Sequence, residues 1–121
     1  MDELSPLGPT RVAEVREGEV REWTIDPSDH GLMGGSAADL AGGGPEDNAR
    51  IVRQVLEGKG NATAAAAVML NAAAALFVAA PDSTFADCVE RSRVALAEGA
   101  GIAALERLQR AYRNPPQETS Q

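Results

Sequence analysis

Residues 64–80 read AAAAVMLNAAAALFVAA and are apolar at every position except Asn71. The run is shorter and richer in alanine than a bilayer span, which needs about 20 strongly apolar residues. A helix that is apolar on all sides is normally enclosed by protein. The sequence therefore predicts a buried helix at the centre of the fold, in which the amide of Asn71 serves packing and hydrogen bonding rather than catalysis.

Amphipathic helices are predicted on both sides of this run. Residues 45–57 form one that begins at Pro45, stops before Gly58 and carries a single apolar stripe. After Pro81 a polar residue can cap the next helix, and the candidates are Asp82, Ser83 and Thr84. The apolar face of that helix comprises Phe85, Cys88, Val89, Ala95 and Leu96. Gly99 and Gly101 separate it from a last helix, whose apolar residues are Ile102, Leu105, Leu108 and Tyr112.

A β-hairpin is predicted ahead of the helices. Residues 1–9 (MDELSPLGP) contain two prolines and a glycine, which indicates an irregular loop. Residues 10–17 and 19–25 are rich in strand-forming residues and meet at Glu17-Gly18, where glycine can take a positive φ. Alternation places three residues on one face of the second strand: Arg21, Trp23 and Ile25. Neither face is wholly apolar, as is typical of an edge ribbon.

The predicted fold is therefore a β-hairpin followed by four to five α-helices in residues 1–113, with helices over 36–113 and a disordered tail at 114–121. Hydrophobic residues make up 44% of the chain but aromatic residues only 3%, so small side chains must supply most of the core. A two-stranded ribbon is marginal alone, and short amphipathic helices cannot enclose the apolar one. We expect part of a larger fold that is loosely packed or aggregates in isolation.

Charge and cysteine content exclude several function classes. The net charge of −7 over 121 residues repels phosphate backbones and anionic lipids, so we expect neither a nucleic-acid nor a membrane partner. Cys88 is the single cysteine and lies on an apolar stripe, which favours a core residue in a reducing compartment. No secretory signal opens the chain. The expected location is cytoplasmic.

Three features are candidate sites. Asp2 and Glu3 form an adjacent carboxylate pair, which is either a solvated terminus or half of a divalent-metal site. His30 follows Asp29 directly and is interpreted as a turn residue. The glycines at 42–44 lead into a helix, but acidic residues fill its first turn and no phosphate-loop lysine follows, so they are interpreted as a flexible connector.

In order and spacing, several stretches together resemble one family, anthranilate phosphoribosyltransferase, over its carboxy-terminal third. They are the loop Asp2-Glu3-Leu4-Ser5 with Pro9-Thr10, VAEVREGEVREWTIDP at 12–27, Asp29-His30-Gly31-Leu32, the loop-into-helix segment from Asp39 through Pro45 to Ala49, and VMLNAAAALFVA at 68–79. His30 departs from the family, which usually has an aromatic residue there. The resemblance implies an α/β fold of the nucleoside phosphorylase and phosphoribosyltransferase type, of which this chain covers a mostly helical part.

The resemblance also implies a function. Members transfer the phosphoribosyl group of phosphoribosyl pyrophosphate to anthranilate, with release of pyrophosphate, in tryptophan biosynthesis. An adjacent Asp and Glu before the hairpin bind the Mg²⁺ that accompanies pyrophosphate, and this role falls on Asp2 and Glu3. No other catalytic or substrate-binding residue carries over.

The family's phosphate loop, lysine loop and amino-terminal helical domain, which also forms the homodimer interface, are not in this sequence. Met1 fits an internal methionine, so we expect an inactive fragment. The alternatives are a non-catalytic acidic helical interaction module and, with a poorer fit, a pyrimidine nucleoside phosphorylase-like protein.

Overall fold

The structure is a computed structural model that describes residues 2–80 and 82–113. Two antiparallel strands come first, β1 (Thr10–Arg16) and β2 (Glu19–Ile25). Four α-helices follow: α1 (Pro45–Leu56), α2 (Ala62–Ala79), α3 (Phe85–Ala97) and α4 (Ala100–Arg113). Short 3-10 helices lie at Pro27–His30 and Ala37–Leu40. The predicted hairpin and mostly helical remainder are confirmed over the described ranges, and the tail predicted to be disordered, 114–121, lies outside them.

The hairpin turns as its sequence predicts. Thr10 pairs with Ile25 at one end of the ladder and Arg16 with Glu19 at the other. Glu17 and Gly18 both have positive φ, 52° and 83°, which is the geometry of a tight turn that matches the twist of the strands. Ile25 is buried, so β2 turns its apolar alternate residues towards the helices.

The core lies between the hairpin, α2 and α3. Its buried members include Ile25, Leu70, Ala73, Phe85 and Cys88. Around them the rings of Trp23, Phe77 and Phe85 meet edge to face, with centroids 5.6 to 6.2 Å apart. Such pairs stabilise beyond their buried area, so three of the few aromatic residues are concentrated where the hairpin meets the helices. Cys88 is fully buried, which confirms its interpretation as a core residue.

Polar caps define where two helices begin. The hydroxyl of Thr84 accepts from the amide of Asp87 at 3.1 Å, and the Asp87 carboxylate accepts from the Thr84 amide at 3.3 Å, which forms a capping box. Thr84 is thus the cap among the three candidates. Asn61 caps α2 by accepting from the amide of Ala64 at 2.7 Å, so α2 begins two residues before the predicted start.

One predicted boundary is wrong. Gly99 has φ 76° and lies between α3 and α4, but Gly101 is inside α4. A Cβ at position 101 would stand 2.7 Å from a methyl carbon of Leu56 in α1. Gly101 is therefore a close-approach residue between two helices rather than a helix breaker.

The enclosure predicted for α2 is also wrong for the described residues. One side of α2 is buried, through Thr63, Ala66, Met69, Leu70 and Ala73. The other side is open, and Val78 there is 83% exposed. Among the described residues α2 alone is long and apolar enough to cross a membrane. This is weak evidence for a membrane span, because core helices of soluble proteins meet the same criterion.

We predict that the open side of α2 makes the isolated chain self-associate. Replacing Val78 by lysine should shift the chain towards monomer in sedimentation velocity, because a charge then interrupts the exposed apolar face. The free energy of unfolding should change by less than about 0.5 kcal/mol, since Val78 packs on little.

Leu70→Ala is the matched control on the buried side of α2, where the side chain is 1% exposed. It should cost about 2–5 kcal/mol of unfolding free energy without dispersing oligomers. An isolated wild-type chain that stays monomeric and melts in one sharp transition would contradict the prediction.

Candidate functional site

The acidic loop at the start of the described chain is held on α2. Asp2 and Glu3 are exposed. Immediately after them, the amide of Leu4 donates to Asn71 Oδ1 at 3.0 Å, and Asn71 Nδ2 donates to the Leu4 carbonyl at 2.9 Å. The same Nδ2 donates to the carbonyl of Ala67 at 2.9 Å. The hydrogen-bonding role predicted for Asn71 is confirmed, and its long-range partner is the loop that carries the carboxylates.

Two further contacts fix the path of this loop. Pro6 is fully buried, and its carbonyl accepts from the amide of Gly34 at 3.2 Å. The side chain of Leu4 packs against the hydrophobic core. The carboxylates of Asp2 and Glu3 therefore lie directly before a segment that is anchored from Leu4 onwards.

Glu3 lies at the rim of a cleft of about 700 Å³ between α1, α2 and the 3-10 helix at Ala37–Leu40. Its walls are mainly small and aliphatic, with three asparagines at intervals. Asn48 exchanges two hydrogen bonds with the backbone of Gly43, at 2.8 and 3.0 Å. Asn61 donates to the carbonyl of Asp39 at 3.0 Å. Like Asn71, each of the two attaches a loop to a helix.

Hydrogen bonds also set the protonation of one carboxyl beside this cleft. The hydroxyl and then the amide of Ser36 donate to Asp39, at 2.8 and 2.7 Å. They hold the pKa of the Asp39 carboxyl below its ordinary value of 3.8, because they stabilise the charged form. Asp39 is therefore ionised at neutral pH and adds negative charge to the cleft that Glu3 also lines.

Asp2 and Glu3 are not joined by a third ligand. Among residues 2–80 and 82–113, no group of three or more histidine, cysteine or acidic side chains is placed to hold a metal. His30 stacks edge to face on Phe85 at 5.4 Å, and its carbonyl accepts from Arg93 at 3.0 Å, in keeping with a turn residue. The side chain of Asn48 fills the space beside Gly42 in the glycine connector. The predicted pair thus supplies two carboxylates without a third protein ligand among the described residues.

The hairpin, the helices and the acidic loop define the class to which the chain belongs. The glycosyl transferase family, a/b domain, matches residues 1–102. The chain belongs to this family.

Within the family, the chain is similar to anthranilate phosphoribosyltransferases. The one from Rubrobacter xylanophilus is 42% identical over 113 residues, which are 93% of this chain and 33% of that protein. The solved enzyme from Thermus thermophilus is 38% identical, with a TM-score of 0.75 over 88% of this chain and 31% of that one. A variant enzyme from Saccharomyces cerevisiae, solved with Mg bound, is 25% identical at the same TM-score, 0.75, and the same coverage, 88% and 31%. The chain thus spans about a third of the length of the relatives it matches.

Two of the three asparagine attachments were not identified from sequence. Asn61 stands directly before an apolar helix, a position at which asparagine commonly caps, and this signal could have found it. Asn48 gives no comparable signal. Its role depends on how closely the glycine connector, residues 42–44, approaches α1 in the folded chain.

We predict that Ser36→Ala raises the Asp39 pKa towards 3.8, because both the hydroxyl donor and the tightness of the turn are lost. The wild-type pKa is depressed, so the hydrogen bonds stabilise the fold above the unfolded-state pKa. That contribution is lost as pH falls through the lower folded-state pKa. Carboxyl ¹³C shifts in an NMR titration measure this directly.

Asp26 is the internal control, because Ser28 lowers its pKa in the same way. Its titration should be unchanged in Ser36→Ala. An Asp39 titration that is indifferent to the substitution would show that the Ser36 bonds are absent in solution.

Proposed function

We propose that this chain forms part of an anthranilate phosphoribosyltransferase, which transfers the phosphoribosyl group of phosphoribosyl pyrophosphate to anthranilate and releases pyrophosphate in tryptophan biosynthesis. The observation that carries the proposal is the 42% identity to an anthranilate phosphoribosyltransferase over 93% of the chain. The TM-score of 0.75 to the Thermus enzyme supports it at the level of the fold. Residues 1–113 would form one part of an α/β domain, and the family match covers residues 1–102 of that part.

Asp2 and Glu3 are proposed to hold Mg²⁺. Their donor set fits this ion, because Mg²⁺ prefers hard oxygen ligands and is usually bound by one or two carboxylates plus waters and substrate phosphates. Their exposure at the end of an anchored loop leaves the remaining coordination positions free for those ligands. When bound, the ion would neutralise charge on the departing pyrophosphate.

The contribution of this chain to the reaction is therefore binding and orientation. Asp2 and Glu3 supply oxygen ligands, and the attachment of Leu4 to α2 limits where those oxygens can lie. No described residue is assigned as acid, base or nucleophile. The isolated chain is expected to be inactive, since the phosphate and lysine loops of the family are not in this sequence.

The proposed partner is the remainder of the enzyme, which as a whole would act as a cytoplasmic homodimer. Two observations support packing of further polypeptide against this chain. The open side of α2 exposes Val78. Nearby, Trp23 Nε1 is buried and has no hydrogen-bond partner among the described residues. A buried donor that is left unsatisfied lowers the stability of the fold. Val78 and Trp23 line the same depression in the surface, so one polypeptide could cover both.

The non-catalytic interaction module is not favoured. An acidic helical module explains the exposed face of α2, but it does not account for identity that extends through the acidic loop and hairpin to known transferases.

The test is a chimera in which this chain replaces the matching third of the Thermus thermophilus enzyme. We expect the chimera to form fluorescent phosphoribosyl anthranilate and the isolated chain to form none. In the chimera, Asp2→Asn with Glu3→Gln should lower kcat/KM by about 100-fold or more, because a Lewis acid supplies several kcal/mol of charge stabilisation and about 1.4 kcal/mol is tenfold in rate.

Glu46 and Asp47 provide the matched control, since they are also adjacent, exposed carboxylates. Their amide variants, Glu46→Gln with Asp47→Asn, should retain activity within a few-fold. Turnover by the isolated chain, or equal losses from the two acidic pairs, would refute the proposal.

A further inference from the structure

Asn71 is a polar residue in a helix that is otherwise almost entirely alanine and aliphatic. Asparagine is a weaker helix former than the alanine around it, because its side chain competes for backbone hydrogen bonds. In this helix every hydrogen-bonding hydrogen of the amide is used: Nδ2 donates to Leu4 and to Ala67. The bond to Ala67, one turn earlier, fixes the orientation of the amide, so the bonds to Leu4 are made by a group that cannot rotate freely.

The two bonds to Leu4 constrain the loop in a particular way. The Leu4 amide belongs to the peptide group that joins Glu3 to Leu4, and it donates to Asn71 Oδ1 at 3.0 Å. The Leu4 carbonyl, on the other side of the same residue, accepts at 2.9 Å. Gripping both backbone groups of one residue fixes the direction in which the chain leaves it. The bonds therefore constrain the position of Glu3, which directly precedes Leu4, and of Asp2, which precedes Glu3.

We propose that Asn71 is a positioning residue for the metal-binding loop, acting through Leu4 to hold the carboxylates of Asp2 and Glu3 in a geometry ready for a divalent cation. This inference rests on the proposed metal role of that pair. A loop held in its bound conformation loses less entropy on binding, so the affinity for the cation is raised. Partners that orient metal ligands from the outer shell typically contribute about 10- to 100-fold in affinity.

Asn48 offers a control of matching chemistry. It lies in a helix, lines the same cleft and grips both backbone groups of one loop residue, Gly43, at 2.8 and 3.0 Å. The loop that it holds carries no proposed ligand. A general effect of losing an asparagine attachment should therefore follow from Asn48→Ala as well as from Asn71→Ala.

The experiment uses Tb³⁺, a hard cation that takes carboxylate oxygens, with the full chain at low micromolar concentration. Trp23 is the single tryptophan and lines the same pocket as Leu4, so the indole-sensitised luminescence that is lost on replacing Asp2 and Glu3 reports cation bound at this loop. Mg²⁺ competition then gives the affinity for the physiological ion. The variants are Asn71→Ala, Asn71→Leu, Asn48→Ala, and Asp2→Asn with Glu3→Gln. Asn71→Leu keeps the number and branching of the side-chain heavy atoms in the apolar helix, and it keeps the test valid if the alanine variant folds poorly.

We expect the acidic-pair variant to lose the luminescence, both Asn71 variants to bind Tb³⁺ and Mg²⁺ about tenfold more weakly, and Asn48→Ala to bind within about twofold of wild type. A second measurement needs no metal: in the wild-type chain the Leu4 amide should exchange with solvent much more slowly than the Glu3 amide.

The positioning role would be overturned if both Asn71 variants bound Tb³⁺ and Mg²⁺ with wild-type affinity while the acidic-pair variant lost the luminescence. That result would still support the metal site. Luminescence and Mg²⁺ affinity that are unchanged in the acidic-pair variant would remove the metal site itself, and this inference with it. Exchange at Leu4 as fast as at Glu3 would show that the attachment does not exist in solution.

Discussion

The burial of one side of α2 is the constraint on which the rest of the structure depends. The hairpin contributes Trp23 and Ile25 to this contact, and α3 contributes Phe85 and Cys88. Apolar burial contributes about 25 cal/mol per Å², and the aromatic rings supply much of the area in a chain otherwise built from small side chains. Loss of this contact would separate the hairpin from the helices, because it is where the two parts of the chain meet.

The same helix carries the link from packing to function. Asn71 lies among the apolar residues of α2 and binds the backbone of Leu4, whose side chain packs against the core that α2 helps to form. The position of Asp2 and Glu3 is therefore coupled to the packing of the hydrophobic core through Leu4 and its partner Asn71. A substitution that shifts α2 would be expected to displace the acidic loop too, although it touches neither carboxylate.

Local signals made much of this fold predictable from sequence. The Glu17-Gly18 turn, the apolar stripe of α1 and the cap at Thr84 each depend on residues that are close in the chain. Gly101 and the coverage of α2 were misjudged for the opposite reason. Whether Gly101 ends a helix or admits a neighbouring one depends on Leu56, which is distant in the chain. Whether an apolar helix is enclosed depends on what packs around it and not on its own sequence.

The candidate site, too, was predictable from the sequence only in part. Its residue types, two adjacent carboxylates on a loop, came from the sequence together with its resemblance to a known family. That Asn71 needs a hydrogen-bond partner could be anticipated, because a buried amide without one is costly. That the partner is Leu4 could not be anticipated, since the two residues are 67 positions apart.

The most direct test is a crystal structure of the Thermus chimera carrying this chain, grown with Mg²⁺ and phosphoribosyl pyrophosphate. We expect a Mg²⁺ ion at about 2.1 Å from carboxylate oxygens of Asp2 and Glu3, with Asn71 still bonded to both backbone groups of Leu4. A cation bound elsewhere with these carboxylates in solvent, or an Asn71 amide turned away from Leu4, would contradict the proposed site.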